Sequence, residues 1–221
     1  MTVCTISAYG RSYRIVDPGG RVGSKVIRGE PYERQLLVDV HQQARPGTAL
    51  DVGAHVGNHT LYMAAITGLR VHAFECHAPT VDRLRGNVDL NPTLDIDVHD
   101  YALGSAKGTG SLTAGRWVEF DPTRDDNGHL DPDDAGTVEV RVFDDEFHVD
   151  DLSIVKVDVE GTEAQVLVGM VDHLDRCSPL VYAETHSADA HDAIAAVLEP
   201  LGYSMTRGIQ MGSLMERWSR L

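Results

Sequence analysis

Positive charge is what this chain has least of: 19 Lys and Arg stand against 34 Asp and Glu, a net charge of −15 at pH 7. A duplex, an RNA or an anionic membrane attracts a basic face, so repulsion from phosphates argues against all three as partners. Cysteine is scarce too. Cys4, Cys76 and Cys177 form no C-x-x-C pair and no disulfide framework, which points to a reducing, cytoplasmic compartment. No run approaches the roughly 18 apolar residues that a spanning helix needs. The opening Met1-Thr-Val-Cys-Thr5 has neither the basic nor the apolar stretch expected of a signal peptide. Internal repeats are absent as well. What is left, 221 residues with 42% hydrophobic content, suits one globular domain spanning 1–221.

Hydrophobic period divides that length into alternating strands and helices. Residues 1–30 alternate apolar and polar around glycine pairs and predict a hairpin outside the main sheet; with the helix at Tyr32–Ala44, stopped by Pro46-Gly47, this makes an N-terminal unit of 1–48. Core strands are expected at Ala49–Gly53, Leu69–Glu75, Asp95–Tyr101, Leu152–Asp158, Pro179–Glu184 and Gly202–Arg207. Helices are expected at Val56–Thr67, Pro79–Leu90, Glu160–Met170 and Asp189–Glu199. Strands alternating with helices mean an α/β fold with a mostly parallel, doubly wound sheet. Between Ser105 and Asp151 the period is lost apart from one strand at Thr137–Val142. From Glu119 to Asp151 there are 13 acids and two bases, Arg124 and Arg141. So long an acidic insertion suggests an acceptor-binding or lid region, with Asn127-Gly128 as a tight turn. A phosphorylated acceptor would need Arg116, Arg124 or Arg141 to answer that charge.

Two motifs carry chemistry. In Ala49-Leu-Asp-Val-Gly-Ala-His-Val-Gly-Asn58 a strand runs into a glycine turn and a helix opens; Val71-His-Ala-Phe-Glu75 then ends the next strand on one acid. Gly53 and Gly57 would let a ligand approach the backbone, and the helix opening near Val56 would offer free N–H groups to an anion. Glu75, 24 residues beyond Asp51, is placed to accept both hydroxyls of an adenosine ribose. The spacing Asp51-x-Gly53-x-x-x-Gly57 differs from the dinucleotide G-x-G-x-x-G, and His55 would crowd a pyrophosphate. S-adenosylmethionine fits better, its carboxylate at the helix start and its ammonium near Asp51.

The second motif is Ile154-Val-Lys-Val-Asp-Val-Glu-Gly-Thr-Glu163. Lys156 on a strand covered from both sides needs a partner, and Asp158 is the nearest candidate. Asp158 and Glu160 emerge at the carboxyl end of their strand, beside Glu184 and His186 at the end of the next. Asp158 or Glu160 is expected to act as base with Lys156 holding the carboxylate, and His186 is a further candidate base. Asp158 and Glu184, with an acid from the 119–151 segment, could hold Mg²⁺. Glu163 could simply complement a helix dipole. His59 suits a helix-face contact, and His72, His77, His99 and His191 a surface or strand-edge position.

The chain resembles the FkbM-type S-adenosylmethionine-dependent methyltransferases. The resemblance rests on Asp51-Val-Gly-Ala-His-Val-Gly-Asn-His-Thr60, Ala73-Phe-Glu75, Asn87 to Asn91, Ala102-Leu-Gly104 and Val155-Lys-Val-Asp-Val-Glu-Gly-Thr-Glu163. Position 55 is His where Asn is commoner in the family. The resemblance implies a Rossmann-like class I methyltransferase fold and O-methylation of a sugar, glycolipid or polyketide-type product, a small-molecule or glycan acceptor. The cofactor-site candidates are then Asp51, Gly53, Ala54, His55, Gly57, Asn58, Glu75, Cys76, Tyr101 and Ala102. An N-methyltransferase would share the donor site but usually carries [DNS]-P-P-[YFW], where this chain has Asp158-Val-Glu-Gly161. A nicotinamide oxidoreductase would keep Glu75 but needs a less crowded turn.

Overall fold

The computed structural model describes residues 2–113, 117–120, 134–211 and 213–220. An antiparallel hairpin opens the chain, β1 (Val3–Ala8) and β2 (Arg11–Val16), followed by α1 (Gly20–Val26) and α2 (Arg34–Gln43). Ile6, Tyr13, Ile15 and Val26 pack with Leu61, Tyr62, Ala65 and Ile66, so the hairpin covers a helix rather than the sheet. α1 was illegible in the sequence because its two glycines and short length leave no helical period.

The central units follow: β3 (Thr48–Val52), α3 (Asn58–Tyr62), β4 (Arg70–Phe74), α4 (Ala78–Asp89) and β5 (Ile96–His99). α3 does not run on to Thr67 as a regular helix. It changes to a π-helical turn, Met63–Thr67, in which the Thr67 hydroxyl donates to the Met63 carbonyl.

The 105–151 segment is more ordered than its composition predicts. Short β6 (Ala102–Leu103), β7 (Gly108–Thr113), β8 (Trp117–Phe120) and β9 (Asp134–Arg141) form a four-stranded sheet in the order β6-β9-β7-β8, and α5 (Phe143–Glu146) leads back to the core. The tight turn expected at Asn127-Gly128, and the side chains of Arg116 and Arg124, lie outside the described residues.

β10 (Leu152–Val157), α6 (Glu163–Val168), α7 (Val171–Cys177), β11 (Leu180–Thr185), α8 (Ala188–Leu198), β12 (Tyr203–Gln210) and β13 (Leu214–Arg220) complete the chain. The main sheet has seven strands in the order β12-β13-β11-β10-β3-β4-β5. β3, β4, β5, β10 and β11 are parallel, and β13 runs antiparallel to both its neighbours. Every residue of β3 and β10 is buried, as expected of central strands covered on both faces. Leu36 and Val40 of α2 pack on one face; Val166, Leu167, Leu174, Ile194 and Leu198 pack on the other.

β13 breaks the hydrophobic reading because it buries charge. Glu216 accepts from Trp218 Nε1 and pairs with His191, while Arg217 reaches buried Asp39. The hairpin is fastened by side-chain amides. Asn91 exchanges hydrogen bonds with both backbone groups of Arg14, and Asn87 bridges the Val16 N–H and the Val56 carbonyl.

His99 ends the edge strand β5, as the sequence allows, but His72 is buried on β4 rather than at a surface or strand edge. Their ring nitrogens are 3.0 Å apart, and Phe74, Tyr101 and Phe147 pack around His99. Asp97, Asp100 and Arg141 are the charged groups facing it. Burial above all, with His72 adding to it, pushes His99 down to about 4 from the ordinary 6.5. The folded state therefore refuses a proton that the unfolded chain accepts, and stability falls as pH drops from 6.5 towards 4. His99→Gln is expected to flatten the urea midpoint between those pH values; an unaltered slope would place the acid sensitivity elsewhere.

Candidate active site

The strand order reverses between β3 and β10, and a cavity of about 580 Å³ opens over the carboxyl ends of β3, β4, β10 and β11 at that point. Register supplies its floor. Asp51 of β3 lies directly beside Lys156 of β10, and Lys156 Nζ is 3.2 Å from Asp51, 3.4 Å from Asp158 and 3.0 Å from the Gly53 carbonyl. The ammonium thus donates to one carbonyl and pairs with two carboxylates. Burial disfavours the charge, but the two carboxylates outweigh it and hold Lys156 above its usual range.

This corrects the expected role of Asp51. Its side chain is fully buried, takes the Thr60 hydroxyl at 2.6 Å as well as Lys156, and does not line the cavity. Gly57 does not line it either. A Cβ there would stand 2.7 Å from Leu84, and one on Gly53 would stand 1.9 Å from the Asp158 carbonyl. Both glycines, at φ of +89° and +81°, are required by protein packing, and Gly53 also lines the cavity. Four amides of the turn ahead of α3 are already engaged. Gly53 and Ala54 donate to the Phe74 carbonyl, Gly57 to Ala54, and His55 to Glu75.

One half of the cavity is lined by Gly53, Ala54, His55, Asn58, Glu75, Cys76, Tyr101 and Ala102. Glu75 is set there by two backbone donors, His55 N–H to Oε2 and His77 N–H to Oε1, each at 2.9 Å. Each oxygen retains a lone pair for a ligand hydroxyl. Asn58 lines the wall with its amide already committed, exchanging hydrogen bonds with the Tyr32 backbone. Position 55 sits at φ +50°, a left-handed conformation that Asn tolerates better than most residues. Burial lowers the His55 pKa, which leaves the ring neutral at pH 7. Burial, reinforced by Glu75, pushes the Cys76 thiol up to about 12, so it stays protonated.

The other half gathers Lys156, Asp158, Glu160, Glu184 and His186, as the sequence groups them. The helix expected from Glu160 starts three residues later. Glu160 (φ +62°) and Gly161 (φ +120°) form a turn, and buried Glu163 accepts the N–H groups of Val159 and Gly161. Glu163 therefore holds the turn, and Glu160 enters the cavity. Burial alone would raise Asp158, but Lys156 overrides it and the pair with Glu184 leaves Asp158 low; burial first and Asp158 second push Glu184 up. Asp158, tied to Lys156, is poorly placed as the metal ligand expected of it.

Sequence reasoning missed a second imidazole–carboxylate pair in this wall. His59 Nε2 is 3.2 Å from Glu33, and Tyr32, Arg21 and Ser213 join them in the lining. His59 could be suspected from the motif around the turn. Glu33, Arg21 and Ser213 come from loops and helix ends that carry no local signal.

Residues 51–205 match the methyltransferase FkbM domain. The chain belongs to the FkbM methyltransferase family. Among its relatives is hexuronic acid methyltransferase AglP of Haloferax volcanii, 30% identical over 167 residues, which are 73% of this chain and 64% of AglP. A solved FkbM methyltransferase from Methylobacillus flagellatus is 17% identical, with a TM-score of 0.55 over 82% of this chain and 50% of that one. A Streptococcus mutans protein solved with S-adenosylhomocysteine shares the fold at 10% identity, with a TM-score of 0.54 over 85% and 97% of the two chains. This FkbM member thus spans less than two-thirds of AglP and half of the solved FkbM chain.

The buried lysine makes a quantitative expectation. Lys156→Met leaves Asp51 and Asp158 without their shared cation and should cost about 3–5 kcal/mol in urea unfolding. A loss below about 1 kcal/mol would mean that the carboxylates find other partners.

Proposed function

We propose that this FkbM-family chain transfers a methyl group from S-adenosylmethionine to a hydroxyl of a sugar, glycolipid or related natural product. One observation carries the reading: a single cavity joins Glu75, a carboxylate held open for two hydroxyls, to the Asp158 end, at the strand reversal where such sheets bind ligands. The donor's adenosine would rest against Glu75, Cys76, Tyr101 and Ala102. Neutral His55 would face the cationic sulfonium without repelling it.

Transfer is an in-line displacement, so the acceptor oxygen needs to lie about 3 Å from the methyl carbon. The C–O bond forms as the C–S bond breaks, S-adenosylhomocysteine leaves uncharged, and the acceptor's proton passes to the carboxylates around Asp158. Lys156 fixes Asp158 for that contact. The finer choice of acceptor follows the relative whose name carries a hexuronic acid. Arg21, an exposed guanidinium in the cavity lining, would suit an acidic sugar in a chain otherwise so negative. A nucleic-acid acceptor is disfavoured by the same charge. Three free cysteines favour a reducing compartment, and no described helix is long and apolar enough to cross a membrane.

Calorimetric titration with S-adenosylhomocysteine is the direct test of the donor site. Glu75→Ala is expected to weaken binding by about 100-fold, the loss of two hydrogen bonds to a charged group. No binding by the unaltered protein would overturn the donor assignment. Asp158→Asn should keep that binding yet lower turnover of a sugar acceptor by at least about tenfold, the lower range for a positioned proton acceptor. Unchanged turnover would remove Asp158 from the chemistry.

A further inference from the structure

Beyond the donor pocket, three side chains that could ligate a metal converge on one point. Glu160 leaves the turn after β10, Glu184 ends β11, and His186 follows it. One ligand atom from each lies within 4.8 Å of the other two, the one such group of three or more found among the described residues. His186 Nε2 is 2.9 Å from Glu184 Oε2 and 3.9 Å from Glu160 Oε2.

A hydrogen bond does not account for the shorter distance. Glu184 is only 8% exposed, and its Oε2 is buried with no hydrogen-bond partner. The other oxygen, Oε1, takes the Ser213 hydroxyl. Glu184 Oε2 and His186 Nε2 thus sit at contact distance with no hydrogen bond between them. A cation explains that arrangement. Ligands about 2.1 Å from an octahedral ion lie about 3.0 Å apart when adjacent and about 4.2 Å apart when opposite. The separations of 2.9 and 3.9 Å lie close to these values.

Charge points the same way. Lys156, the nearest ammonium, is spent on Asp51, Asp158 and the Gly53 carbonyl. Glu160 and Glu184 therefore have no Lys or Arg partner among the described ion pairs. Two carboxylates so close in a half-enclosed site are relieved by a proton or by a shared cation.

We propose that Glu160, Glu184 and His186 bind one divalent cation of the Mg²⁺/Mn²⁺ class at the acceptor end of the cavity. Two carboxylate oxygens and one imidazole leave positions for water and for an acceptor oxygen, which suits these ions. The binding itself does not depend on the methyl-transfer reading. Only its purpose does: a hydroxyl held on the ion would be easier to deprotonate.

The test is titration of Mn²⁺ into the full-length, ligand-free chain, with free Mn²⁺ read by electron paramagnetic resonance and Mg²⁺ added as competitor. One equivalent is expected to bind and to be displaced by Mg²⁺. Glu160→Gln, a half-exposed position that should not disturb folding, and His186→Ala should each weaken binding by at least about tenfold. Asp150→Asn, an exposed acid remote from the cluster, should leave it unchanged and so controls for diffuse attraction to a chain of net charge −15. Circular dichroism checks that each variant is folded. No stoichiometric binding, or binding that Glu160→Gln and His186→Ala leave intact, overturns the site. S-adenosylhomocysteine titration of the same samples separates the two readings, since donor binding without Mn²⁺ binding would refute the metal alone.

Discussion

The carboxyl edge of the sheet is organised around one buried ammonium. A lone lysine charge in a protein interior costs several kcal/mol, so Lys156 is tolerable only where acceptors are already arranged around it. Parallel register supplies Asp51 beside it, the strand end supplies Asp158, and the turn after β3 supplies the Gly53 carbonyl. That third contact matters most for the site. It fixes the turn at Gly53, two residues before the His55 N–H that orients Glu75. A chain of rigid contacts therefore runs from the middle of β10 to the carboxylate proposed to hold the ribose. The close approach of Gly53 to the Asp158 carbonyl is the steric counterpart of the same junction.

Two imidazole–carboxylate pairs flank Asp158 from different parts of the chain. Glu33 and His59 come from the N-terminal side, Glu184 and His186 from the ends of β11 and the loop beyond. Glu33, His55 and Glu160, three residues with left-handed backbones, line this one cavity. Such conformations cost of order 1 kcal/mol or more each and persist where the surroundings impose them. The acids in the lining outnumber its cations. For the proposed donor, that field favours the charged sulfonium over the neutral product and so helps the product leave.

The strands and helices with a clean period could be read from the sequence because burial on both faces leaves β3 and β10 mostly apolar. Lys156 was legible for the opposite reason: a charge inside such a run demands a partner nearby. Elements that bury charge against distant residues were not legible. β13 carries Glu216 and Arg217 inside the fold, and their partners, His191 and Asp39, are 25 and 178 residues away in the chain. Gly57 was misread because a missing Cβ serves ligand and packing alike, and only its neighbour Leu84 distinguishes the two. Glu163 and Glu160 have the same chemistry, and the left-handed turn that separates their roles depends on Gly161 and on capping of two amides.

The asparagine clasps on the N-terminal hairpin set an order on biosynthesis. Arg14 and Val16 find their amide partners 77 and 71 residues later, at Asn91 and Asn87. A ribosome adding about 5–20 residues per second needs roughly 4–15 s to make that interval. β1 and β2 gain the helix they cover only when residues 61–66 emerge, and their clasp stays open until Asn87 and Asn91 follow. An isolated two-stranded hairpin is marginal in water. The first thirty residues therefore emerge early but lock late: Ile6, Tyr13 and Ile15 wait for residues 61–66 to cover them, and the clasp waits for α4 and the residues just beyond it.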